Sequence, residues 1–209
     1  MPSIASPYGL SLVEYKGGKF RAAVNQYNIV NAYATSLGQG DPLMPAASNT
    51  CAIATGYTNV AAATYQVVGV FNGVNYTNSQ GIVQPPQPFW PANTATYNNS
   101  YPVITVNDLP YCVFQIQTNG TLGANFNAAL STFTNYAFAV GAPNPATGQS
   151  TFALDVAGTG DKTLVINPMK IVGLADPTIG STNSWTDAFV DVLVIFNNHV
   201  YKPGTLGIA

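Results

Sequence analysis

Any acid–base or nucleophilic chemistry in this chain would have to pass through very few groups. His199 is its only histidine and Glu14 its only glutamate. A nucleophile–histidine–acid arrangement would therefore need His199 beside a serine or threonine, and no Gly-x-Ser-x-Gly elbow is present to offer one. A structural role for His199, exposed or at the end of a strand, is the expectation. Asp155 and Asp161 flank Val-Ala-Gly-Thr-Gly, which loosely suggests a calcium loop. Calcium asks for about six to eight oxygen ligands, several of them carboxylates, and the spacing fits no EF-hand pattern. A glycine-rich turn whose aspartates bond to backbone is expected there instead. Cys51 and Cys112 sit in neither a Cys-x-x-Cys pair nor a Cys/His cluster, and without an export signal they read as two buried thiols. These residues point to no catalytic group, no metal and no cofactor.

The charge distribution narrows the function further. Between Asp41 and Asp155 the only charged side chain is Asp108. Metal ligation, phosphate binding and proton transfer all draw on the residue types missing from this stretch. Over the whole chain 7% of residues are charged, against the roughly one quarter or more that keeps a free monomer soluble. Much of the surface is therefore expected to be covered by partners, including copies of the chain itself. Six basic residues and a net charge of −2 give no electrostatic reason to bind nucleic acid. The best apolar run, Ala188 to Phe196, is interrupted by Asp191 and is far shorter than the roughly 20 residues that span a bilayer, so no membrane segment is expected. Met1-Pro-Ser-Ile-Ala-Ser-Pro7 has neither a basic nor an apolar leader region, and no secretory signal is expected.

The elements that would position these residues are strands. Leu10–Tyr15, Gln26–Val30, Thr64–Phe71, Val103–Val106, Cys112–Gln117, Met169–Leu174 and Val190–Phe196 show period-two alternation or short apolar blocks. Gly, Pro and Asn separate them, with Asn72-Gly73 and Asn119-Gly120 as hairpin signals and Asp41-Pro42 as a turn initiator. The chain reads as all-β, a β-barrel or β-sandwich. In Cys112–Gln117, residues 112, 114 and 116 would face one side and 113, 115 and 117 the other. Asp187 and Asp191, four apart, would share a solvated or partner-facing strand face. Pro85-Pro-Gln-Pro-Phe-Trp-Pro91 cannot be a central strand and reads as a rigid loop or edge with Phe89 and Trp90 packed on the body. Gly123–Ala139 suits an irregular or extended path, with a short helix as the alternative.

Residues 1–20 read as an extended N-terminal arm ahead of a single β domain, residues 21–209. Pro2 and Pro7 oppose a helix, Leu10 and Leu12 offer a strand for pairing to a neighbouring subunit's sheet edge, and Gly17-Gly18 supplies a hinge. Tyr8, Leu10, Leu12, Tyr15, Lys16, Lys19 and Arg21 are the candidate contacts to a partner, the three basic residues steering the arm to an acidic surface.

An ordered series of segments resembles the capsid decoration, or cement, proteins of tailed bacteriophages. It runs through Ser6-Pro-Tyr-Gly-Leu10, Tyr15-Lys-Gly-Gly18, Val24-Asn-Gln-Tyr-Asn-Ile-Val30, Gly40-Asp-Pro-Leu43, Val68-Gly-Val-Phe71 and Phe89-Trp-Pro-Ala-Asn-Thr94. It continues with Asp108-Leu-Pro-Tyr-Cys-Val-Phe-Gln-Ile-Gln-Thr-Asn-Gly120, Thr147-Gly-Gln-Ser150, Ile171-Val-Gly-Leu174 and Val194-Ile-Phe-Asn-Asn-His-Val200. The resemblance implies a structural and non-enzymatic role: a β-barrel or sandwich made in the host cytoplasm and placed on the outer capsid of the virion. It further implies a trimer that bridges major capsid proteins and stabilises the shell. From a different class, a glycan-binding β-sandwich of a phage tail or adhesin is the alternative, since twelve tyrosines and ten phenylalanines could furnish a sugar-binding surface.

Overall fold

The computed structural model describes residues 4–15, 24–54, 66–122, 134–157, 167–175 and 183–202. Thirteen strands are found among them: β1 (Ser11–Tyr15), β2 (Val24–Asn28), β3 (Leu37–Gly38), β4 (Pro42–Ala46), β5 (Thr50–Ile53), β6 (Gly69–Asn75), β7 (Phe89–Trp90), β8 (Val103–Asn107), β9 (Cys112–Gln117), β10 (Asn135–Ala139), β11 (Ala153–Asp155), β12 (Met169–Leu174) and β13 (Asp191–Phe196). They form an antiparallel β-sandwich. One layer has the order β1-β9-β13-β12-β10-β11, the other β2-β8-β6-β4-β5, and β3 with β7 makes a two-stranded ribbon.

The apolar blocks fold this way because each supplies one inward face. Val192, Val194 and Phe196 of β13, Phe114 and Ile116 of β9, and Ile104 and Val106 of β8 are all buried in one core with Phe71 and Leu43. Phe114 and Phe196 meet at 5.0 Å between ring centroids. Cys112–Gln117 buries both of its faces except at Gln115; on the side of residues 113, 115 and 117 the chain ahead of β1 lies against Gln117, whose Oε1 accepts from Ser6 N at 2.7 Å and whose Nε2 donates to Ile4 O at 3.3 Å. The six-stranded layer curls, and Leu154 in β11 forms a parallel bridge with Thr118 just after β9.

Trp90 is fully buried and Phe89 partly so. Trp90 stacks edge-on against Tyr76 at 5.2 Å, so the proline-rich segment is a loop ending in the short edge ribbon β7. Asn72-Gly73 is not a hairpin turn. It lies inside β6, where the register slips between Phe71 and Gly73 opposite Val106 and Thr105. Glycine within a strand commonly marks such a bulge, and the local dipeptide signal gave way to the sheet. Asp187 is not on β13 either; its carboxylate accepts from Ser184 N at 2.9 Å in the preceding turn, so it shares no strand face with Asp191.

The expected arm needs correction over residues 4–15. β1 is an edge strand of the protein's own six-stranded layer, paired with β9 from Ser11↔Gln115 to Tyr15↔Cys112, and Leu10 is buried in the core. The alternating apolar residues that suited a neighbour's sheet edge suit β9 equally, and β9 is the nearer partner. The proposed boundary near residue 20, and Lys16, Lys19 and Arg21 with it, lie outside the described residues, as does the possible helix over 123–133. No described helix is long and apolar enough to cross a membrane.

Candidate functional site

Two seams join the layers, and each holds a buried carboxylate, Asp41 in one and Asp108 in the other. The first is built where four distant segments meet. Leu10 N donates to Gly40 O at 2.9 Å, Gly9 N to Phe152 O at 3.1 Å, Gln39 N to Gly148 O at 2.7 Å, Ser150 N to Gln39 O at 2.9 Å and Gly40 N to Phe71 O at 2.9 Å. Gly9 and Gly40 have φ of +75° and +99°, values that side-chain-bearing residues adopt only with strain. An added Cβ at Gly9 would lie 2.8 Å from Gly40 O. Glycine is thus required twice where the chains approach most closely.

Asp41 closes this seam. Its Oδ2 accepts from Gly38 N at 2.7 Å, while Oδ1 has no hydrogen-bond partner. Burial of the carboxylate raises its pKa from 3.8 to about 6, against the pull of the Gly38 N–H and the nearby Ser150 hydroxyl.

Beside the seam opens a cleft of about 460 Å³ between β1 and β6. Four amide side chains line it: Gln39, Asn72, Asn107 and Gln149. Gln39 Nε2 donates to Asn72 Oδ1 at 3.0 Å, and the bulge in β6 is what turns Asn72 out of the sheet. Ser11 adds a hydroxyl and the partly buried Leu12 an apolar side chain, over a floor formed by the buried residues Leu10, Val70 and Phe71. No lining residue is charged. Tyr8 donates its hydroxyl to Asp191 Oδ1 at 3.0 Å, and burial followed by the Asp191 charge raises the phenol pKa.

Of the seven sequence-derived contact candidates, the structure brings Tyr8, Leu10 and Leu12 together at this cleft. Tyr15 ends β1 opposite Cys112. None of the four amides had a binding role in the sequence reading; Asn72 entered it only with Gly73 as a hairpin signal. They lie up to 110 positions apart in sequence, and the available signal was indirect: Gly38-Gln-Gly40 and Gly148-Gln149 each place a glutamine beside a glycine in a chain crossing.

The second seam surrounds Asp108 and His199. Val67 N donates to Asn198 O at 3.1 Å and Val200 N to Val67 O at 3.0 Å, tying the lead-in to β6 to the chain after β13. Asp108 is buried and accepts from Asn25 Nδ2 at 3.0 and 2.9 Å and from the Tyr27 hydroxyl at 2.6 Å. A buried carboxylate satisfied in this way is structural. His199 is fully buried, not exposed, although it does follow a strand end. Its Nδ1 accepts from Tyr201 N at 3.1 Å, and Nε2 makes no hydrogen bond of ordinary geometry. Burial lowers its pKa to about 4, outweighing the backbone of Val68 and the Asp108 charge, which favour the cation. A neutral imidazole with no hydroxyl at Nε2 has nothing to deprotonate. Lys202 caps the seam by donating to Phe196 O at 3.0 Å.

Asp155, the last residue of β11, accepts from the Asn119 side-chain amide at 2.8 Å; the glycine-rich turn after it and Asp161 lie outside the described residues. Among the described residues no three His, Cys, Asp or Glu side chains gather as a metal would require. Cys51 in β5 and Cys112 in β9 are free and buried, and burial pushes both thiols up to about 11.

Comparison of the chain with protein-family models, curated proteins and solved structures found no match.

Proposed function

We propose that this protein is a structural subunit of a virion, a cement or decoration protein that binds the outer capsid of a tailed phage and bridges its major capsid proteins. The observation that carries the reading is a set of exposed apolar side chains on a rigid, uncharged end of the five-stranded layer. β2 ends, β8 begins and β6 ends side by side at Asn28, Val103 and Asn75. The loops leaving that end expose Val30, Ile82, Val83, Tyr97 and Tyr101, with Val83 76% and Tyr97 48% accessible.

These loops are held by hydrogen bonds. Tyr97 N donates to Thr77 O at 3.1 Å, Asn31 Oδ1 accepts from Thr96 N at 3.0 Å, and Thr77 bridges Val83. A preformed surface of tyrosine and aliphatic side chains, poor in charge, is the composition of an interface core. The resemblance of the sequence to cement proteins supplies the identity of the partner. Function follows by linkage: a subunit that binds the assembled lattice and not free capsid protein raises the free energy of shell opening at every occupied site. Trimerisation would let one particle grip several capsid subunits at once.

The test is a Val83→Asp/Tyr97→Asp variant. It is expected to keep the melting temperature of the parent, since both side chains are exposed, and to lose capsid binding. Undiminished binding by a folded variant would remove this surface from the account.

A further inference from the structure

We infer that the cleft between β1 and β6 is a binding site for a neutral saccharide, an activity separate from capsid bridging and independent of it. No Asp, Glu, His, Lys or Arg lines the cleft. Its lining carries no charge, so neither a phosphate, a carboxylate nor an ammonium group finds a counter-ion there. Each Asn or Gln amide offers both a donor pair and an acceptor, and each sugar hydroxyl is itself donor and acceptor, so amides match vicinal hydroxyls without any ionised group.

The amides of Asn107 and Gln149 point to this use most directly: both line the cleft, and neither side chain spends its capacity on a hydrogen bond within the protein. Gln39 and Asn72 are already paired to one another at 3.0 Å, which fixes their orientation and leaves the second Nε2 hydrogen of Gln39 and the Nδ2 group of Asn72 available. Leu12, only partly buried, provides apolar surface beside them for the C–H face of a pyranose. The volume of about 460 Å³ falls in the ordinary range for small-ligand sites, about 300–1,000 Å³, and suits one or two sugar rings. The cleft floor is preformed by the glycine seam, so binding costs little ordering.

An extended peptide added to β1 is the competing occupant, and the edge opposes it. The outward N–H of Leu10 is already taken by Gly40 O at 2.9 Å. The strand is then bulged between Leu12 and Glu14, a device that breaks the even ladder an added strand would follow.

The experiment is a titration of the full chain, followed by amide chemical shifts, with maltotriose, cellotriose, chitotriose, lactose and a rhamnose disaccharide. Trigalacturonate serves as the charged control, and an acetylated, amidated Val-Thr pentapeptide as the strand probe. At least one neutral sugar should give saturable shifts confined to residues 10–12, 39–40, 70–72, 107 and 149. Asn107→Ala and Gln149→Ala, both of partly or fully exposed side chains, should each weaken that binding at least tenfold with the melting temperature unchanged. Three results would overturn the assignment: no neutral sugar binding at millimolar concentration, tighter binding of trigalacturonate through the same residues, or saturation of the β1 edge by the pentapeptide alone.

Discussion

The main-chain N–H of Leu10 donates to the carbonyl of Gly40 at 2.9 Å, and this bond ties the edge strand of one layer to the turn that opens the other. Both flanking glycines have positive φ. Gly9→Ala forces a side chain into strained backbone, about 1 kcal/mol or more, and against Ser150 and Gly40. A loss of roughly 2–4 kcal/mol is expected, or a fall of about 4–15 °C in Tm for a chain of this size. Thermal denaturation by circular dichroism measures it, and a change below about 1 °C would show that the seam is not tight.

Tyr27→Phe removes the donor held 2.6 Å from Asp108 and leaves one lobe of a buried carboxylate less satisfied. The expected cost is about 1–3 kcal/mol, read as a lower denaturant midpoint with unchanged slope. An unaltered midpoint would mean that Asn25 alone satisfies Asp108.

Asp41 and His199 act against each other in acid. Asp41 has a folded pKa of about 6 against 3.8: the folded state keeps a proton that the unfolded state releases, so its contribution grows as pH falls from 6 toward 3.8. His199 has a folded pKa of about 4 against 6.5. The unfolded state takes a proton that the folded state refuses, so stability falls as pH drops from 6.5 to 4. Each effect is at most about 3 kcal/mol. Asp41→Asn should therefore make unfolding distinctly more acid-sensitive between pH 6.5 and 4, and His199→Gln should make it less so. Parallel pH profiles for parent and variants would refute the opposition.

Thiol titration should detect two free groups in denaturant without reductant and almost none in the native protein, since Cys51 and Cys112 are buried and hold their protons to about pH 11. Rapid native reaction would place one of them at the surface.

The strands with dense β-branched residues, β8, β9, β12 and β13, were legible because period and composition agree there. β4, which opens at Pro42 and contains Pro45, was not, and β10, in a run rich in Asn, Thr and Ala, was legible only as an irregular or extended path, because sheet context overrode weak local propensity. The cleft was half legible. Tyr8, Leu10 and Leu12 were found as members of an arm, for the right residues and the wrong partner, since alternation specifies a strand but not which edge it joins. Of the two places expected for His199, exposed or at a strand end, the structure shows the second: it follows β13 and is buried, and a lone histidine carries no periodic signal of burial. The amides left only the indirect signal of a glutamine beside glycine at Gly38-Gln-Gly40 and Gly148-Gln149, since their meeting depends on chain crossings fixed only by the fold.

On the proposed function, an uncharged surface docks this protein on an assembled shell. Co-sedimentation of the purified protein with mature capsids assembled without it, compared with unexpanded shells and free capsid protein, tests this most directly. Saturable binding to the mature lattice alone, persisting from about 0.1 to 1 M salt where exposed ion pairs are screened, is the predicted result. Absence of binding to mature capsids, or binding that disappears with added salt, would contradict it.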